Sequence, residues 1–280
     1  MTRIGPVAMC ALAAERLVRR AADRAEGAAG RADPERAVAL SIAARLLTEG
    51  LGCGALLAAA FAGGGALVVM MTDGAESHPG SARWPGPRLA AQRRAELLAA
   101  IAVPGGGADV LTCLNLPDGN LYAIDPAPTA GRIVALIDRT GARTVLCPSP
   151  VDAHADHKAT ARIARLARQH RTDTAIYLYP VWSRRDEDDV CAAHGAAPVI
   201  RFDTAPWRDH KRRAIGCHHS QLGLIVDDAP GSFTMDPAFV TLFVTGDELF
   251  STMDHGCDPV CHRNDLPGHR RSVAFPHKPV

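Results

Sequence analysis

Blocks of continuous apolar residues alternate with amphipathic stretches along most of this chain. Ala66 to Met71, Asp109 to Leu116, Thr144 to Cys147 and Ala175 to Tyr179 read as short strands. The first has no polar alternation, which is the pattern of a parallel strand covered on both faces. Between them, Leu51 to Phe61, Gln92 to Val103, Gly131 to Arg139 and Lys158 to Gln169 carry helical periodicity. On Gln92 to Val103 the polar side is predicted to hold Arg93, Arg94 and Glu96. Each strand ends in a polar loop: Thr72-Asp73-Gly74, Pro117-Asp118-Gly119-Asn120, Pro148 to His157, and Pro180-Val181-Trp182. Strand, loop and helix in regular succession predict βαβ units and a mostly parallel sheet with helices on both faces.

The two ends of the chain follow a looser grammar. Residues 8 to 28 predict a solvated, Arg-rich helix. In Asp33 to Gly50, Asp33 suits an N-cap, Pro34 a first helical position and Gly50 a stop. That punctuation favours a helix, although Ala37 to Ile42 also suits a short buried strand. After residue 186 the reading is an acidic turn (Asp186 to Asp189), a short strand (Val199 to Phe202), a basic helix (Trp207 to Gly216) and a closing element (Gly246 to Phe250). The expected organisation is a helical appendage over 1–32, one domain over 33–253 and a partly ordered tail over 254–280.

Bulk properties narrow the function classes. The formal charge of +1 and the dispersed basic residues give no footprint for nucleic acid. No run reaches the roughly twenty apolar residues of a membrane span, and nothing at the start reads as a secretory signal, so a cytoplasmic protein is expected. Most of the eight cysteines lie in apolar runs and read as small buried hydrophobes. Cys257-x-x-x-Cys261-His262 has a spacing that could clip a metal, with no second ligand pair near it. No Gly-x-Gly-x-x-Gly follows a strand, and no Gly-x-Ser-x-Gly elbow is present.

The chemistry gathers on one loop. Asp152-Ala-His-Ala-Asp-His157 follows a predicted strand and precedes a predicted helix, at the strand end where open α/β sheets bind ligands. This loop, together with Leu51-Gly-Cys-Gly-Ala-Leu-Leu, Val68 to Gly74, Arg93-x-x-Glu96, Leu116-Pro-Asp-Gly-Asn-Leu121 and His218-His-Ser-Gln221, resembles the PIG-L/LmbE-like N-deacetylases. The resemblance runs from about residue 37 to 250. It implies a three-layer αβα fold around a mostly parallel, Rossmann-like sheet. It also implies zinc-dependent hydrolysis of the acetamide of an N-acetylated amino-sugar conjugate, in which the metal activates water and polarises the carbonyl. By motif, His157 resembles the metal ligand, His154 the histidine assisting the tetrahedral intermediate, and Asp156 a carboxylate orienting an imidazole. Asp118, Arg93 and His218 would line or support the substrate pocket.

One departure bears on all of this. Where the family carries Pro-His-Pro-Asp-Asp-Glu after its first strand, this chain has Ala43-Ala-Arg-Leu-Leu-Thr-Glu49. Only Glu49 is kept, and it joins His154 and Asp156 as a candidate catalytic residue. Three readings stay open: a hydrolase with a rebuilt first motif, a pseudoenzyme that binds a sugar-like ligand or a protein partner, and a local change of reading frame before Glu49.

Overall fold

The structure, a computed structural model, describes residues 39–43, 48–184, 199–229, 232 and 234–253. The N-terminal helix, the acidic turn, the Cys257 to His262 spacing and the two terminal segments all lie outside the described residues. Within the described residues the strands are β1 (Ala39–Ala43), β2 (Ala66–Thr72), β3 (Leu111–Leu116), β4 (Thr144–Pro148), β5 (Ala175–Tyr179), β6 (Ile200–Phe202) and β7 (Glu248–Thr252). The helices are α1 (Thr48–Ala62), α2 (Gly86–Ala102), α3 (Pro126–Thr140), α4 (Ala155–His170), α5 (Arg208–Gly216) and α6 (Pro237–Thr245).

The strands form one sheet in the order β3-β2-β1-β4-β5-β7-β6. The first five are parallel, and β7 runs antiparallel to both β5 and β6. Alternate residues of each strand feed opposite cores. Leu40, Ile42, Val69, Met71 and Val145 pack against α3 and α4 residues such as Ile133, Ile137 and Ile163. On the other face Leu146, Tyr179 and Phe250 meet Leu51, Ala55, Ile215 and Phe243 of α1, α5 and α6, while Val68 and Met70 meet Leu97 and Ile101 of α2. This is the expected three-layer α/β arrangement.

β1 corrects the helical reading of its segment. Leu40, Ile42 and Ala43 are fully buried, and burying a Leu or Ile side chain is worth about 1.5–3 kcal/mol. A good N-cap is worth only about 1 kcal/mol, so two core side chains outweigh the local punctuation. The same contest explains α1, which reads as one helix but breaks at Cys53, where φ is −145° and ψ 21°. The break brings Gly52 against Tyr179, whose ring would lie 2.1 Å from any added Cβ. The sequence reading gives no helix to 237–245, yet Asp236 caps α6 by accepting from the Ala238 N–H.

The strand order reverses direction between β1 and β4. β1 pairs with both β2 and β4, so the carboxyl ends of β1 and β4 flank the switch point at which such sheets open a crevice. The loop carrying Asp152 and His154, which leads to His157 in the first turn of α4, leaves β4 at that place.

Candidate active site at the sheet switch point

Asp152 is the anchor of the β4–α4 loop. Fully buried, it accepts from the backbone N–H of Ser183 (2.9 Å), the Ser183 hydroxyl (2.6 Å) and the Val181 N–H (3.1 Å). It also meets His157 Nδ1 at 2.7 Å. Burial pushes the Asp152 carboxyl up, but the His157 imidazole and the two Ser183 donors outweigh it and hold the group below its ordinary value. An ionised carboxylate here fixes the His157 tautomer: Nδ1 carries the proton and donates it, leaving a lone pair on Nε2. His157 is itself buried, and Nε2 has no hydrogen-bond partner.

His154 stands beside it, with ring centroids 5.0 Å apart and planes tilted by 32°. It caps α4: its Nδ1 accepts from the Asp156 N–H at 3.1 Å. A nitrogen that accepts carries no proton, so the neutral ring has its N–H on Nε2. The two imidazoles therefore differ in kind. His157 offers an acceptor and His154 a donor.

Asp156 does not orient an imidazole. Its carboxylate accepts from the N–H groups of Gly119 (2.8 Å) and Leu121 (3.1 Å), pinning the loop after β3 to the start of α4. The carboxylate that holds His157 is Asp152. The physical reason is directional: successive residues on a helix point about 100° apart, so the neighbour of His157 cannot share its face.

Asp118 lies in the same pinned loop and ties it to the end of β2. It accepts from the Thr72 hydroxyl (2.8 Å) and the Glu76 N–H (3.0 Å). Arg93 and Glu96 correct the expectation of a polar helix side, because both are buried. Arg93 Nη1 donates to the Gly74 carbonyl and, at 2.7 Å, to the Ser77 hydroxyl. Gly74 sits at φ +73°, and a Cβ there would come within 2.5 Å of the Arg93 guanidinium. Glu96 accepts from the Ser220 N–H (2.9 Å) and hydroxyl (2.7 Å), so α2 holds the loop after β2 and the loop after α5 together.

His218 belongs to this second cluster. It is buried, with Nδ1 unpartnered, and burial, then the Arg93 and His219 charges, push its pKa down to about 3. It is a neutral imidazole. The described contacts thus form two groups, His157–Asp152–His154 and Arg93–Glu96–His218, bridged by Asp156, the Gly119–Leu121 backbone and Asp118. Glu49 lies in the first turn of α1, and its side chain is outside the described residues.

The sequence reading did not single out Asp152 as the histidine's partner, nor Lys211 and Glu248. Glu248 on β7 accepts from the N–H groups of Ala55 (2.7 Å) and Leu56 (2.9 Å), and so caps the second half of α1 beyond its break at Cys53. Lys211 Nζ meets the same carboxylate at 2.8 Å.

The unpartnered Nε2 of His157 suits a metal ligand. A catalytic zinc takes three protein ligands and a water. Among the described residues no group of three or more His, Cys, Asp or Glu side chains could hold a metal. Ile42 to Thr48 contain none of these residue types, and His154 presents a donor. The described residues do not fit a three-ligand zinc site.

Comparison with known proteins bears on the lineage. Residues 49–168 match the family model of PIG-L, GlcNAc-PI de-N-acetylase. No curated protein matches the chain. Among solved structures it is similar to the N,N'-diacetylchitobiose deacetylase from Pyrococcus horikoshii complexed with its inhibitor MPG. The identity is 19% and the TM-score 0.60, over 85% of this chain and 92% of that one. The zinc inhibited form of teicoplanin deacetylase Orf2 aligns at 19% identity and TM-score 0.53, over 78% of this chain and 100% of that one. GalB, the 4-carboxy-2-hydroxymuconate hydratase from Pseudomonas putida KT2440, aligns at 15% identity and TM-score 0.58, over 79% of this chain and 98% of that one. Deacetylases and a hydratase thus share this fold, so these likenesses speak to architecture and leave the reaction to the site. The chain thus matches the PIG-L family model over residues 49–168, and its sheet and helices share the fold of these solved structures.

Proposed function

We propose that this chain is, by descent, an amide hydrolase of the PIG-L type, and that its pocket takes the acetamide of an N-acetylated amino-sugar conjugate. The observation that carries this reading is the His157–Asp152 pair at the β4 end of the switch point, with an imidazole nitrogen buried, oriented and unpartnered. In this reading the His154 Nε2–H faces the acyl oxygen and stabilises the charge that develops there. Glu49, the one kept carboxylate of the first motif, stands as proton acceptor. Asp156 and Asp118 set the wall after β3, and Arg93 and His218 support the opposite wall. In the family a zinc ion polarises the carbonyl and activates water. Among the described residues the donor set does not fit that ion.

A second reading is binding without turnover, of a sugar-like ligand or a partner. One observation favours it: the segment from Ile42 to Thr48 has no side chain that could ligate a metal or accept a proton at neutral pH. One experiment separates the two. The full chain is incubated with N-acetylglucosaminides, with and without added zinc, while acetate and free amine are measured. Acetate release that vanishes in His157→Ala supports the hydrolase. Binding without release supports the second reading, and neither binding nor release sinks both.

A further inference from the structure

We infer that residues 222–229 form a flap over the Arg93–His218 wall of the crevice, held shut by an exposed polar clasp onto residues 81–84 and opened to admit a ligand. The inference concerns access and stands whatever the ligand is. That the entering ligand is N-acetylated rests on the proposed function.

Burial calls for a moving part. His157, Arg93 and His218 expose at most 1% of their surface and Asp118 9%, so no ligand reaches them in the closed form. The described walls differ in how they are held. Buried Asp156 ties down the loop after β3 through two backbone N–H groups. Buried Asp152 does the same for Val181 and Ser183 after β5, and buried Glu96 holds Ser220. Hydrogen bonds to a carboxylate shielded from water are strong.

The clasp is built differently. The base of the flap is fixed, because the Met235 N–H donates to the Gln221 carbonyl at 2.8 Å. Beyond it, Asp228 accepts from the Ser81 hydroxyl (2.6 Å) and the Arg83 N–H (2.8 Å), and the Trp84 indole N–H donates to the Ile225 carbonyl (3.0 Å). Arg83 Nη1 meets the two oxygens of Asp227 at 2.7 and 3.0 Å. The Arg83 and Asp227 side chains are 63% and 68% exposed, so water and salt compete for the pair and it contributes little. Leu224 is 65% exposed and gives up no core when the flap lifts. Among the described walls this one opens at the lowest cost.

The flap moves, and its partner loop stays. Gly223, between the fixed base and the clasp, sits at φ +71°, a conformation that suits glycine at a hinge. The partner loop is braced on α2: the Trp84 N–H donates to the Ser81 hydroxyl at 2.8 Å. Arg88 of α2 lies 4.3 Å over the Trp84 ring and donates to the Arg83 carbonyl at 2.6 Å.

The test labels the full chain with diethyl pyrocarbonate, which acylates neutral imidazole, and reads His218 by mass spectrometry. Labelling of His218 should be slow at low salt and rise about two- to fivefold at high salt, the range of an exposed ion pair. Arg83→Gln and Asp227→Asn should each reach that rate at low salt and lose the salt dependence. The double variant should be no faster than either single one, since both break the same pair. Asp228→Ala should raise the rate further, with the melting temperature unchanged in every variant. Labelling that neither salt, Asp227→Asn nor Asp228→Ala alters overturns the inference, and so does labelling that rises in step with hydrogen exchange across the sheet. Labelling that follows the clasp, without any binding of methyl N-acetylglucosaminide, supports the flap and counts against the proposed function alone.

Discussion

Lys211 and Glu248 form an ion pair of 2.8 Å in which both side chains are completely buried. The pair joins α5 to β7, and the carboxylate also caps α1 through the N–H groups of Ala55 and Leu56. Burial pushes the Lys211 ammonium down, and the Glu248 charge opposes that shift. Removing one partner strands the other charge in the core, which costs about 3–5 kcal/mol. Lys211→Met should therefore lower unfolding stability by that order in urea titration. A loss under 1 kcal/mol would mean that the pair is not closed in the folded protein.

The second prediction concerns acid. His218 keeps a folded pKa of about 3 against an ordinary 6.5, so between those values the unfolded chain binds a proton that the folded chain refuses. Its stability is therefore complete above about pH 6.5 and falls as pH drops towards 3, by about 1.4 kcal/mol per pH unit at most. Asp152 acts in a lower window. Its depressed pKa adds stability that is present above the ordinary carboxylate value and disappears as pH falls through the folded value. Between pH 6 and 4, His218→Gln should flatten the stability curve by close to one proton, measured by urea titrations at several pH values. Parallel curves for variant and wild type would rule this out.

Asp156 offers a local test. Asp156→Ala removes the acceptor for the Gly119 and Leu121 N–H groups, leaving two partly or fully buried donors unsatisfied at about 1–3 kcal/mol each. Hydrogen exchange should accelerate at residues 119 and 121 well beyond its change in the sheet. Unaltered protection there would show that the loop after β3 is held by something else.

Gly52 faces the Tyr179 ring with no room for a methyl group. Gly52→Ala should cost about 1–3 kcal/mol through overpacking. Tyr179→Leu, which clears the ring, should recover part of that cost when combined with it. A double-mutant cycle by thermal melting measures the coupling, and purely additive losses would refute the contact as the cause.

Much of the architecture was legible because apolar runs such as Ala66 to Met71 are too long and too continuous to sit at a surface. β1 was misread because Asp33-Pro34 and Gly50 are local signals, while the burial of Leu40 and Ile42 is decided by β2 and β4 on either side. Asp236-Pro237 is the same punctuation as Asp33-Pro34, and it starts α6. The site was legible as residue types on one loop, but not as bonds. Arg93 and Glu96 look like solvated charges because their partners, Gly74, Ser77 and Ser220, come from loops far along the chain. The choice between Asp152 and Asp156 was within reach, since adjacent helical residues diverge. Nothing local announces the pairing of Lys211 with Glu248, 37 residues apart.

The cap that Glu248 provides has a kinetic consequence. Ala55 and its acceptor are separated by 193 residues, so α1 cannot complete its second half from local sequence, and contacts of that span close late. During synthesis the first helix of the switch-point crevice waits, with two amide groups open, until the last strand of the sheet has emerged. The pocket is therefore assembled last, although its first wall is made early.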